Sequence, residues 1–219
     1  MSSGDAISKL RLLPIEDYTG VNADDPIRFY ILPIVGRMYR RRVELCLGQC
    51  TGGRRILEVG FGSGVTFLNL ADIYEEIWGL DTTADCYKIS TLFQRLGAQV
   101  VLRNGSVLKM PYENNFFDTV LLISILEHLK PYEQESAFSE IRRVLKPGGQ
   151  VVFGVPVERA LMWFAFRCLG FNIREHHFST HDQVFEGASH VLTKRQVTSM
   201  RAIIPLLGVV YQIGDYVKE

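Results

Sequence analysis

A carboxylate and three glycines at alternate positions, Glu58, Gly60, Gly62 and Gly64, stand where an apolar run at 56–59 gives way to a helix-compatible run at 65–72. Such a turn carries a buried parallel strand into a helix N-terminus, where free amide N–H groups and the helix dipole favour an anionic ligand group. Glycine lets the backbone take positive φ and lets a ligand approach with no Cβ in the way. A second carboxylate, Asp81, closes the run 76–81 and comes 21 positions after Gly60. That interval fits a short crossover helix and a second strand whose carboxy end lies beside the turn. An acidic side chain there can accept both hydroxyls of a ribose. Capping of the next helix, expected over 82–96, is the other role open to Asp81.

The spacing disfavours two nucleotide classes. A dinucleotide fingerprint, G-x-G-x-x-G, needs glycine where Val65 stands. A phosphate loop needs Gly-Lys-Ser/Thr, and Lys88 is the one lysine between Arg55 and Arg95. The stretch instead resembles motif I of the class I S-adenosylmethionine-dependent methyltransferases, E-x-G-x-G-x-G, with Glu58, Gly60, Gly62 and Gly64 on its defining positions. Asp81 is similar to that family's motif II. Gly105, Val107, Met110, Pro111 and Tyr112 align with the family pattern G-D-A-x-x-L-P-F, with Ser106 in place of the aspartate. Phe117, Asp118, Val120, Leu126 and His128 match F-D-x-V and L-x-H. Residues 143–149 match R-x-L-K-P-G-G.

The resemblance implies in-line attack of an O, N or C nucleophile on the sulfonium methyl of S-adenosyl-L-methionine, with S-adenosyl-L-homocysteine as product. It implies that Glu58 orients the cofactor's amino end. Backbone at Gly60, Phe61, Gly62 and Gly64 would pack against its methionyl and ribose portions. Asp81, with Thr82 beside it, would hold the ribose. Gly105, Ser106, Val107 and Tyr112 would line adenine, and Ile123 and Ser124 would end beside the methionyl part. A serine hydroxyl accepts without charge, so the adenine contact is weaker than an aspartate's.

These residues need a sheet to position them. The expected architecture is α/β, a Rossmann-like doubly wound seven-stranded sheet, mostly parallel with an antiparallel C-terminal strand, plus N-terminal cap helices. Strands are expected over 55–59, 76–81, 99–102, 120–125 and 150–156, and helices over 65–74, 82–96 and 136–145. The continuous apolar character of 120–125 marks a central strand covered on both faces. Residues 146–149 stop the preceding helix, Pro147 barring continuation and glycine supplying a left-handed cap. Residues 1–25 read as a loose arm, and 26–47 as two short helices broken by Pro33. The arrangement is an arm and cap over 1–50 and a cofactor-binding unit over 51–219. The tail, 193–204 and 209–217, reads as a closing strand pair, although Val197, Met200 and Ile204 also fit a helix.

Acid and base candidates are His128, at a strand-to-helix junction, and His177 and His181, in a histidine-rich stretch after the fifth strand. Surface or capping roles compete for all three. That stretch lacks a clear fourth ligand, so no metal is expected. Ser179 or Thr180 can cap a helix over 182–191. The apolar segment 160–166 reads as a buried crossover helix, or as a lid over a greasy substrate.

Lys plus Arg and Asp plus Glu number 24 each, which removes any global pull toward nucleic acid. Arg37, Arg40, Arg41 and Arg42 make one segment locally basic, either as a solvated face or as a dock for an anionic group. Four cysteines without a C-x-x-C pair, and no secretory leader before them, suit a cytoplasmic protein. The partner expected is a small-molecule or lipid-linked substrate, with no nucleic acid and with peripheral membrane contact open. The rival expectation is a non-catalytic cofactor- or partner-binding module on the same scaffold.

Overall fold

Neighbouring side chains of the central strands enter opposite cores, which is why these runs are apolar throughout rather than alternating. In β1 (Gly53–Val59) and β4 (Phe117–Ile123), Ile56 and Leu121 join the layer that holds Phe67, Ile77 and Phe93. Leu57, Val59, Val120 and Leu122 join the other, with Phe138, Ile141 and Phe153. The computed structural model describes residues 9–19, 25–157, 178–202 and 208–219.

The remaining strands are β2 (Tyr74–Asp81), β3 (Val100–Asn104), β5 (Leu145–Pro156), β6 (Thr193–Arg201) and β7 (Val209–Val217). They complete a seven-stranded sheet of order β3-β2-β1-β4-β5-β7-β6. Strands β1 to β5 pair in parallel, and β7 runs antiparallel between β5 and β6. The doubly wound sheet and its antiparallel C-terminal strand are therefore as expected. The strand order reverses between β1 and β4, and an open α/β sheet offers a ligand crevice outside the carboxy ends at such a point.

Helices α1 (Val35–Leu47), α2 (Phe67–Leu70), α3 (Cys86–Arg95), α4 (Gln134–Val144) and α5 (His181–Val191) cover the sheet. A 3-10 turn, Pro26–Ile31, precedes α1, so the cap consists of two short helical pieces parted at Pro33. Because α1 leads by a short turn into the start of β1, its N-terminal end lies toward the carboxy ends of the parallel strands. Thr180 caps α5 in a reciprocal box with Gln183, which satisfies two orphan donors. Ser179 donates its hydroxyl to the Leu129 carbonyl at 2.6 Å instead.

Four local expectations differ from the structure. The helix expected over 65–74 is only the single turn α2. The Leu68 carbonyl is taken by the Arg11 guanidinium, and Tyr74 is already paired with Gly53 in β1. The helix expected over 82–96 starts later, at Cys86 with Asp85 as its cap, because the Thr83 and Ala84 amides are bound by Asp81. Strand β5 begins at Leu145 rather than 150. Leu145, not a glycine, ends α4, and Gly148 at φ +75 makes an irregularity that keeps the chain paired to Lys218. The arm is docked from residue 9 onward: the Leu10 amide donates to Glu44 at 3.1 Å and the Arg11 amide to Asn69 at 3.0 Å. Leu10 and Tyr18 are buried.

Among the described residues no helix is long and apolar enough to cross a membrane. The segment 160–166 and His177 lie outside the described residues.

Candidate functional site

The glycine turn forms because β1 must leave the sheet beside β2 within a few residues. Gly60, Gly62 and Gly64 take φ of 71°, 49° and 74°, values at which an L side chain is strained. The Gly60 amide donates to the Leu80 carbonyl at 2.7 Å and the Gly64 amide to Phe61 at 2.8 Å. A Cβ on Gly60 would run into Ile125, and one on Gly64 would meet Phe67 at 2.7 Å. Those two glycines are demanded by the protein's own packing. Gly62 differs: the atom facing it is a carboxylate oxygen of Asp25, 2.5 Å from a built Cβ. The Phe61 ring turns into the core against Phe67, so only its backbone borders the turn.

Three carboxylates converge here. Glu58 is buried at the end of β1 and accepts from the Thr66 hydroxyl. Burial pushes its carboxyl up to about 8, with Asp81 adding to the rise. Asp81, at the end of β2, accepts from the Gly62 amide at 3.0 Å, Thr83 at 2.9 Å and Ala84 at 3.0 Å. The Thr83 hydroxyl also faces Oδ1 at 3.4 Å, so the acceptor capacity left to Asp81 is on Oδ2, which holds the Gly62 amide. Asp25 reaches in from the cap and accepts from the Ser63 amide at 2.7 Å and its hydroxyl at 3.2 Å. Burial raises Asp25 as well, and Asp81 contributes to that rise. Three acids crowding one turn favour a cationic ligand and repel a phosphate.

Residues expected around adenine separate into two groups. Ser106 is exposed, and its hydroxyl accepts from the Leu108 amide at 3.2 Å. Gly105 packs under the Leu80 side chain, with a built Cβ 2.8 Å from it, and Val107 is buried. Tyr112 is absorbed by the core, edge-on to Trp78 and Phe117 at 5.8 and 5.0 Å. Thr82 is exposed beside Asp81.

On the β4 side, Ile123 and Ser124 are partly buried at the strand's carboxy end. Ser124 has φ +58, a backbone conformation costing roughly 1–3 kcal/mol and met mostly where function needs it. Its hydroxyl meets the Tyr211 phenol at 2.9 Å and accepts from the Arg42 guanidinium at 3.2 Å. Arg42 lies over the Tyr39 ring, 4.0 Å from its centroid. Its Nε is buried and finds no hydrogen-bond partner among the described residues. Burial alone would lower this guanidinium, but the phenol oxygens of Tyr30, Tyr211 and Tyr39 outweigh it and hold it above its ordinary value. Burial likewise keeps the Tyr211 phenol well above its ordinary range, so it serves as a neutral donor rather than a base. Neither Asp25 nor Tyr211 was anticipated among the site residues. Asp25-Pro26 carried only a turn signal, and nothing local marks Tyr211.

His128 ends the 3-10 turn Leu126–His128 after β4 and is exposed. His181 opens α5 and lies 3.4 Å from the adjacent Asp182 carboxylate. Among the described residues no group of three or more histidine, cysteine or acidic side chains is placed to hold a metal ion.

A family model described as a methyltransferase domain matches residues 57–153. A ubiquinone biosynthesis O-methyltransferase of Alkalilimnicola ehrlichii is 30% identical over 129 residues, covering 57% of this chain and 51% of that protein. The chain spans about half the length of the curated relatives it matches, 42–51% for three of them. A geranyl diphosphate methyltransferase solved in complex with SAM superposes with a TM-score of 0.68 at 13% identity, over 84% of this chain and 87% of that one. The [4+2]-cyclase SpnF superposes with a TM-score of 0.67 at 18% identity, over 91% and 86%. At such identities the two structures show a shared fold, and their different reactions show that the fold alone does not choose one.

Proposed function

We propose that this chain, whose residues 57–153 match a methyltransferase domain model, is an S-adenosylmethionine-dependent methyltransferase acting on a small-molecule or lipid-linked acceptor. The observation that carries this reading is the convergence of Glu58, Asp81 and Asp25 on the glycine turn. The cofactor brings an ammonium, a sulfonium and a ribose diol, and these acids match all three; a pyrophosphate would be repelled by them.

When bound, the cofactor supplies an electrophilic methyl group; the protein's work is to bind, orient and exclude water. Glu58 faces the amino end, and an arriving cation draws its raised carboxyl back toward the ionised form. Asp81, held by three amides, is pre-oriented for a ribose hydroxyl, so little side-chain entropy is lost on binding. Asp25 closes the turn from the cap side. The acids hold the cationic cofactor more tightly than the product, whose sulfur is uncharged.

Arg42, Ser124 and Tyr211 form the opposite wall, where the acceptor is to be held. Among the described residues the guanidinium keeps an unused donor in Nε, and that donor suits an acceptor oxygen that is anionic or becomes so. His128, His177 and His181 remain candidates for proton transfer, with Arg42 and Tyr211 supplying electrostatic support rather than a base.

A cofactor- or partner-binding module without methyl transfer is the second reading, favoured by Ser106, whose hydroxyl is occupied by its own turn. Calorimetric titration with S-adenosylhomocysteine, with NADH as control, tests the cofactor. Micromolar binding of the first alone is expected. Methyl transfer to a panel of phenols, amines, sugars and lipids then separates the two readings; cofactor binding with no turnover on any class would favour the module.

A further inference from the structure

The cap carries a surface that the site does not use. Where the 3-10 turn passes into α1, four aliphatic side chains in five consecutive residues face solvent. Ile31 is 57% exposed, Leu32 43%, Ile34 66% and Val35 37%. Aliphatic residues scattered singly on a surface are ordinary, but a contiguous exposed run marks an interaction site. Backbone bonds from Gly36 to Leu32 and from Met38 to Ile34 tie this run to the first turn of α1. Helical spacing then places Arg37 and Arg41 on the face that continues from Ile34.

Arg37, Arg40 and Arg41 of α1 line an open surface recess together with Arg201 of β6; Glu44 is the one acid among the described residues that line it. Arg28 is exposed on the preceding turn. Among the described residues neither the Arg37 nor the Arg201 side chain makes a hydrogen bond or an ion pair, whereas Arg41 lies 4.0 Å from Glu44. The whole chain carries equal numbers of basic and acidic residues, so this is a local imbalance, not an overspill of net charge.

We propose that the aliphatic turn 31–35 and the arginines behind it form a docking surface for an anionic lipid bilayer. Aliphatic side chains at a turn enter the boundary between headgroups and acyl chains, while the guanidinium groups take the phosphates above it. A second copy of this chain is the poorer occupant. A two-fold contact through this patch would set arginine against arginine. The N-terminal end of α1 lies at the carboxy-end side of the sheet, with the glycine turn and Arg42. A docked protein therefore turns the mouth of its site toward the bilayer, and the acceptor is a lipid-held molecule. This last step rests on the methyltransferase reading; the docking itself does not.

The test is co-sedimentation of the full chain with vesicles of phosphatidylcholine alone and of equal parts phosphatidylcholine and phosphatidylglycerol. Binding to the mixed vesicles alone is expected, weakening as salt rises. Ile34→Asp lowers the partition about tenfold and Arg37→Ala about fivefold. Both variants keep wild-type melting temperatures and wild-type affinity for S-adenosylhomocysteine, which separates failure of docking from failure of the cofactor site. Equal binding to the two vesicle types, no binding to either, or variants that bind like wild type would overturn the proposal. So would a concentration-dependent dimer in sedimentation velocity that Ile34→Asp dissociates, since a second copy would then cover the turn.

Discussion

The two walls of the proposed site are assembled in different ways. On the glycine side, the bonds that matter join residues close in sequence: Glu58 with Thr66, 8 positions apart, and Gly62 with Asp81, 19 apart. On the proposed acceptor side, Ser124 meets Arg42 from 82 positions away and Tyr211 from 87. The first wall, the proposed cofactor side, is a compact motif built from residues near one another in sequence. The second exists only after α1, β4 and β7 have packed. Asp25 crosses the divide, reaching the turn from the cap over 38 positions.

The sharpest way to break this comparison is Gly62→Arg. The side chain would displace Asp25 and fill the turn, so S-adenosylhomocysteine affinity falls at least about a hundredfold, with cooperative unfolding retained. Unchanged calorimetric affinity in that folded variant would remove the turn from the cofactor site. On the other wall, Arg42→Leu lowers kcat/KM about a hundredfold, the scale of a lost charged hydrogen bond, while cofactor affinity stays at the wild-type value. A loss of cofactor affinity in Arg42→Leu would move Arg42 to the first wall. Asp81→Ala weakens the cofactor by about 1–3 kcal/mol, and wild-type binding there would leave Asp81 as a brace for the turn alone.

Glu58 gives a smaller effect with a defined sign. Its folded carboxyl is raised from 4.5 to about 8, so in that window folding takes up a proton. The associated stability is present in full below pH 4.5 and is lost as pH rises through about 8. Thermal unfolding across that range should show a falling melting temperature in the empty protein. Glu58→Gln should flatten the profile; an unchanged slope would assign it to other groups. The smallest effect belongs to Ser106→Ala, about twofold on cofactor affinity, because an exposed hydroxyl already bound to its own turn contributes little. A tenfold loss would show that the hydroxyl leaves Leu108 for adenine.

Legibility followed the same divide. Glu58, the glycines and Asp81 were readable because strand, turn and strand are contiguous and each demands particular residue types. Tyr112 was expected at adenine, yet its ring completes an aromatic cluster with Trp78 and Phe117. Short patterns do not say which face of a loop looks inward. The helix expected over 65–74 is one turn because the chain must already be in β2 at Tyr74, which pairs with Gly53 of β1.

By itself, the sequence determined the doubly wound sheet, the place of its glycine turn and the identity of the acids that end β1 and β2. Periodicity and turn chemistry act over a few residues, and those features need nothing longer. Only the tertiary structure decided that Asp25 closes the turn, that Arg42, Ser124 and Tyr211 stand together, and that residues 31–35 stay uncovered. Each of these depends on which distant elements pack against one another, and that is set by burial of the whole core rather than by any local run.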